Sequence, residues 1–374
     1  MHVIFRVDAS VEMGTGHVMR SLTLAEELKR KGALVRFICR EQPGDMCDFL
    51  EQKNFHVHRL PPVGNRLKYR INGHHQYGHW LEVAWDEDAE QTIHEIRSSE
   101  IPVDWVIVDH YGIKREWEEI IRRNMTSKIL IIDDLADRDH DCDVLLDQNF
   151  YHNMSTRYEG LVPGHCKKLL GPAYSLLREE FVKERGNAKH RNGIVKKVLV
   201  FFGGSDPTNE TSKALEAISL LQRKDIIIDV VVGNSNPNKE QVAYICRENE
   251  NFQYHCQINY MGKLMAEADL AIGAGGSSTW ERCFLGLPAI TITTAENQVE
   301  MTRAVARMGA IQYVGNYHEV SVDCIRDAVL GCLNSPEKVK EMSNASVEIM
   351  GNLKAVGTSR VAQIILEGKD DIAN

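Results

Sequence analysis

Residues 2–28 read HVIFRVDASVEMGTGHVMRSLTLAEEL, and this stretch decides the architecture. Val3–Val7 is a short apolar run of strand type. A glycine loop, Met13-Gly14-Thr15-Gly16, separates it from Val18, Leu22, Ala25 and Leu28, which recur on one helical face. Gly32 then offers a C-cap. Strand, glycine loop and amphipathic helix in that order open a doubly wound α/β domain.

The alternation continues downstream. Strands are expected near Leu34–Cys39, His56–Leu60, Trp105–Asp109, Ile129–Asp133 and Val144–Leu146. A second series follows at Val198–Phe202, Ile226–Val232, Phe252–Cys256, Leu270–Gly273 and Ala289–Thr293. Between the series lies a polar, basic stretch, residues 183–197 (KERGNAKHRNGIVKK), of the composition of an exposed linker. This places a boundary near 188, with an N-terminal domain over 1–187 and a C-terminal domain over 188–374. Two Rossmann-like halves are implied. Ligands of such sheets bind outside the carboxyl ends of the strands, so the cleft between the halves is the default site.

Composition narrows the function. A chain of 374 residues with 43% hydrophobic and 26% charged residues is ordinary globular protein. The 44 Lys and Arg against 53 Asp and Glu give a net charge of −9, which disfavours nucleic acid or an anionic membrane as a bulk partner. An anionic small ligand would need local donors, such as backbone N–H groups at helix starts. Nine scattered cysteines without a C-x-x-C pair, no signal-peptide core and no apolar run near ~18 residues make a cytoplasmic protein the expectation. His75 and His79 have the spacing of one helix face, with His74 beside them. No carboxylate or Cys at ligand spacing accompanies them, so a solvated loop is expected in place of a metal site.

The chemistry-bearing residues gather after strands. Gly14 and Gly16 let the backbone approach a ligand closely, and His17 stands at the helix start, where the dipole disfavours its charged form. It is either a general base or a turn histidine. Met19 occupies the third glycine position of the dinucleotide fingerprint, which disfavours NAD. Asp109-His110-Tyr111-Gly112 ends the fourth strand as a site candidate or an ordinary turn, and Asp133-Asp134 ends the fifth as a site candidate or a cap.

The second half carries two glycine loops, Gly203-Gly204-Ser205-Asp206 and Gly275-Gly276-Ser277-Ser278, each between a strand and a helix, as a diphosphate requires. Glu281 is either a ribose ligand or a first-turn acid favoured by the dipole. Asn297 and Gln298 follow the Ala289–Thr293 strand and offer amide groups to a sugar or phosphate. No Walker A pattern is present.

The opening stretch, VDHYGI at 108–113, GPAYSLLREEF at 171–181, FFGGSDPTN at 201–209 and GAGGSSTWERCFLGLP at 273–288 together resemble the UDP-2,4-diacetamido-2,4,6-trideoxy-beta-L-altropyranose hydrolases of pseudaminic acid biosynthesis. Relatives of that family act in spore-coat polysaccharide synthesis. The resemblance spans residues 3 to 300. It implies a GT-B fold and metal-independent hydrolysis of the sugar C1–O bond with inversion, without a cofactor. His17 maps onto the family's proposed base, Tyr111 and Asn297 onto residues near the sugar, and Gly203, Gly204, Ser277, Ser278 and Glu281 onto nucleotide contacts. The segment 62–85 and the chain beyond about 315 depart from the shortest family members. A glycosyltransferase sharing the donor site and a noncatalytic nucleotide-sugar binding protein are the alternative readings.

Overall fold

The computed structural model describes residues 1–62, 77–98, 101–351 and 357–368. His74 and His75 lie outside these residues. Packing divides the chain into two units, one of 1–149, 153–176 and 355–374, the other of 150–152 and 177–354.

The first unit is built on a sheet of β1 (His2–Val7), β2 (Leu34–Arg40), β3 (His56–Leu60), β4 (Trp105–Asp109), β5 (Lys128–Ile132), β6 (Val144–Asp147) and β7 (Lys167–Leu170). Their order is β3-β2-β1-β4-β5-β6-β7, with every pairing parallel. The central strands β1 and β4 are buried along their whole length because helices cover both faces, which is why they read as near-continuous apolar runs. Alternation along β1 sends Phe5 to one core with Leu24, Phe37 and Leu130, and Ile4 to the other with Val106, Trp117 and Ile129. The edge strand β7, KKLL, was not expected. Only two of its residues are apolar, and both lysines face water.

The second unit contains β8 (Lys197–Phe201), β9 (Ile227–Val232), β10 (Phe252–Cys256), β11 (Leu270–Ala274), β12 (Ala289–Thr293) and β13 (Ile311–Asn316), ordered β10-β9-β8-β11-β12-β13 and again parallel. Both sheets therefore reverse direction of growth at one place, between β1 and β4 in the first and between β8 and β11 in the second. Loops leaving those strand ends open the crevice at which doubly wound sheets take their ligands.

Two expectations about the domain limits change. The boundary near 188 moves to 177, because the basic stretch is docked on the second unit. Phe181 is fully buried. The Gly262 N–H donates to Glu180 Oε2 at 3.0 Å, and the Arg191 guanidinium donates to the carbonyls of Met265, Ala268 and Leu285 at 2.7–2.9 Å. The C-terminal domain also ends sooner than 374, since the last helix, Gly357–Glu367, places Val361, Ala362 and Ile365 in the core of the first unit beside Val3, Val18 and Leu22. Among the described residues no helix is long and apolar enough to cross a membrane.

Candidate active site

In the first unit the loop after β1 leads into the helix Gly16–Arg30, and β4 ends at Asp109 on the adjacent strand. The switch point thus brings His17 to Asp109. Nδ1 of His17 lies 2.6 Å from Asp109 Oδ1. Burial alone would raise this carboxyl, but Arg20 and His17 hold it far below the usual carboxylate range. An ionised carboxylate only accepts, so the Asp109 contact calls for a proton on Nδ1, and in the neutral ring this leaves Nε2 as the nitrogen that can accept one. The side chain is largely buried with Nε2 unengaged by any described residue.

Arg20, one helical turn from His17, was missed in the sequence. Its Nε and Nη2 clasp both oxygens of Asp109 at 2.7 and 2.6 Å, and its Nη1 pairs with Asp134. Asp134 Oδ2 in turn accepts the Tyr111 hydroxyl at 2.6 Å. Burial pushes the Tyr111 phenol well above its ordinary pKa, so it stays a donor. His17 packs edge-on against Tyr111, ring centres 4.4 Å apart. One arginine thereby joins the two carboxylates that hold His17 and Tyr111. The spacing of three between His17 and Arg20 was a legible signal that they share a helix face.

His110 and Asp133 stand apart from this cluster. The Gly112 N–H donates to His110 Nδ1 at 3.0 Å, while Nε2 lies 3.3 Å from Asp8 Oδ2. Burial lowers the His110 pKa, and the ring is neutral within a framework in which Arg6 and Arg40 pair with Asp88 at 2.7 Å. Asp133 pairs with Arg138 at 2.8 Å and accepts the Tyr158 hydroxyl at 3.0 Å. These groups brace the strand ends beneath the cluster.

In the second unit the switch point brings together the loops after β8 and β11. Gly203, at φ 93°, turns the chain after β8. The loop packs so closely on β9's exit that a Cβ on Gly233 would stand 2.3 Å from the Gly204 carbonyl oxygen. The helix Glu210–Ser219 does not offer a free start. Asp206, at φ 38°, accepts the N–H groups of Glu210 and Thr211 at 3.0 and 2.9 Å. That corrects the expectation of two helix starts as anion donors: after β8 the amides of Gly203, Gly204 and the exposed Ser205 remain.

After β11, Ser277 is exposed and no side chain caps the helix Ser278–Phe284. Gln298 reaches this loop, its Nε2 lying 3.8 Å from where a Gly276 Cβ would stand, and its Oε1 accepts the Thr294 N–H at 3.0 Å. Asn297 is exposed beside it. Glu281 Oε1 accepts from Arg178 at 3.1 Å, and burial raises the Glu281 carboxyl. The fully buried Arg282 donates to the Ala274 carbonyl at 2.9 Å and to Ser278 Oγ at 3.1 Å, bracing the loop from below. Neither Arg178 nor Arg282 was singled out from the sequence.

Residues 198–360 match the glycosyltransferase family 28 C-terminal domain. The chain is 29% identical to the UDP-2,4-diacetamido-2,4,6-trideoxy-beta-L-altropyranose hydrolase of Campylobacter jejuni, over 83% of this chain and 97% of that protein. It is 26% identical to the spore coat polysaccharide biosynthesis protein SpsG of Bacillus subtilis, over 84% of each. Among solved structures, MurG of Acinetobacter baumannii matches with a TM-score of 0.64 at 15% identity, over 98% of this chain and 99% of that one. UGT89C1 of Arabidopsis thaliana complexed with UDP matches with a TM-score of 0.66 at 15% identity, over the same shares. The fold is GT-B.

Proposed function

On the premise of a GT-B chain whose residues 198–360 match the family 28 C-terminal domain, we propose that it hydrolyses a UDP-activated 2,4-diacetamido-2,4,6-trideoxyhexose to UDP and free sugar, in pseudaminic acid or related surface-glycan biosynthesis. The 29% identity to the Campylobacter hydrolase supports the substrate class. The observation that carries the chemistry is the His17–Asp109 pair, in which the carboxylate engages Nδ1 and leaves Nε2 to act as the base.

In this reading water attacks C1 of the sugar and gives its proton to His17 Nε2. The C1–O bond breaks on the opposite side, and UDP departs with the bonding electrons, so the configuration at C1 inverts. The developing imidazolium is stabilised by Asp109, and general-base help of this kind is worth roughly 10²–10⁴ in rate. Backbone amides of Gly203, Gly204, Ser205, Gly276, Ser277 and Ser278 take the diphosphate and stabilise its leaving charge. Glu281 takes the ribose hydroxyls. We assign Tyr111, Asn297, Gln298 and the Gly14–Gly16 loop to recognition of the sugar. No step calls on a metal or a cofactor. Nine free cysteines fit a reducing cytoplasm as the location.

The family 28 match favours a second reading, an inverting glycosyltransferase with the same donor site and a sugar hydroxyl in place of water. Turnover in oxygen-18 water separates the two. Label at C1 of the free sugar without any acceptor supports hydrolysis, label in UDP reports P–O cleavage, and turnover only with an acceptor sinks the hydrolase. His17→Asn should abolish turnover and leave UDP affinity intact; an undiminished rate would remove the assigned base.

A further inference from the structure

The segment Tyr77–Leu81 falls within the stretch 62–85 that family resemblance leaves unassigned, and it lies against His17. Its docking is specific. The Tyr77 carbonyl oxygen sits 3.0 Å from where a Gly112 Cβ would be, so a larger residue there would press on the segment and on the His110 ring. The buried Gln42 donates to the Trp80 carbonyl at 3.1 Å, and Leu81 enters the core. Glu12, from the loop after β1, accepts the Trp80 indole N–H at 3.3 Å and lies 2.7 Å from His79 Nε2. Trp80 stacks on Tyr111 at 5.7 Å and 20°, its ring 6.0 Å from His17, and Tyr77 touches both Trp80 and Tyr111 at 4.7 and 5.4 Å.

Three of the polar groups around these rings are already engaged. Asp109 is taken by His17, Arg20 and Ser21, the Tyr111 hydroxyl by Asp134, and the Trp80 N–H by Glu12. A ligand meeting this face finds His17 and the half-buried rings of Tyr77 and Trp80, which are backed by the buried Tyr111, with the exposed Glu12 and His79 at the far edge of Trp80. A sugar hydroxyl set against such a surface loses its water without gaining a partner, whereas a methyl group gains by burial.

Resting on the nucleotide-sugar reading above, we propose that Tyr77 and Trp80, with Tyr111, form an aromatic wall beside His17 that selects sugars bearing methyl groups, as N-acetyl substituents and a deoxy C6, over hydroxyl-rich hexoses. Apolar pockets discriminate against an added hydroxyl by roughly 10–100-fold, which sets the scale.

The test measures Kd for UDP, for UDP-N-acetylglucosamine and for a UDP-diacetamido-trideoxyhexose in the His17→Asn background, which halts turnover. A preference of at least ~10-fold for the methyl-rich sugar is expected, falling to within ~2-fold in Trp80→Leu and kept in Trp80→Phe, with UDP affinity unchanged throughout. Should Trp80→Leu fail to fold, Tyr77→Leu reads the same preference. Equal weakening of both sugar nucleotides, or no preference in the parent, overturns the wall. A protein that shows the preference but releases no free sugar keeps the wall and loses the hydrolase. One that hydrolyses both sugars with equal kcat/KM and binds them alike keeps the hydrolase and loses the wall.

Discussion

His17 and Asp109 stand 92 residues apart in the chain and 2.6 Å apart in the fold. Only the parallel pairing of β1 with β4 makes them neighbours, so the proton position on the imidazole is a property of the sheet's switch point. Asp109→Asn keeps the shape but lets an amide N–H face Nδ1, which moves the proton to Nε2. The expected loss in kcat is roughly 10²–10⁴-fold with UDP Kd unchanged, measured by steady-state hydrolysis and calorimetric titration.

Arg20 is the counter-ion of two largely buried carboxylates. Arg20→Met strands both, and removing one partner of a buried pair costs about 3–5 kcal/mol. Urea unfolding of the single variant should show that loss. In the Arg20→Met/Asp109→Asn double variant much of it should return, and full additivity would show the network to be irrelevant.

Gly233→Ala tests the first glycine loop without touching a residue of it. The new methyl would overlap the Gly204 carbonyl oxygen, so the loop must move. UDP affinity should fall at least ~10-fold, about 1.4 kcal/mol, while the thermal transition of the first unit is unaltered.

Acid should unfold the first unit through its buried carboxylates. Burial would raise Asp8, Asp88, Asp109 and Asp133, but Arg6 holds Asp8 and Asp88, Arg20 holds Asp109 and Arg138 holds Asp133 below the usual range. An unfolded Asp titrates near ~3.9, so the stability these groups give is complete above about pH 4 and is lost as pH falls toward their depressed folded values. Asp147, raised by burial and by Asp134, runs the other way and gains as pH falls. Calorimetry from pH 7 to 3 should show Tm dropping below about pH 4, less steeply in Asp109→Asn.

Ile365→Ala in the last helix should weaken the first unit by about 2–5 kcal/mol although it lies near the end of the chain. Proteolysis should then cut within 1–176 before 177–354; the reverse order would contradict the packing.

Much of this was written plainly in the chain. Central strands such as VIFRV and WVIVD are buried on both faces and carry unbroken apolar runs, and His17 opens its helix directly after a glycine loop. The edges were harder. β7 carries two lysines, and β13 is half exposed with a register shift against β12 at Thr291/Ile292, so neither has the apolar signature of a central strand. Asp206 as a cap depends on a left-handed backbone that composition does not announce. Trp80 reaches His17, and Tyr77 reaches Tyr111, only through tertiary docking, and the return of Gly357–Glu367 to the first sheet has no local sign, since its apolar face would suit either unit.

That return reorders synthesis and folding. The ribosome adds roughly 5–20 residues per second, and domains usually fold as they emerge, first in, first folded. Here the first unit lacks part of its core until the last helix is made, whereas residues 177–354 are complete before it. The nascent N-terminal sheet must wait on the growing chain with the Val3, Val18 and Leu22 surface uncovered, a place where a chaperone would bind and where premature termination would be most damaging.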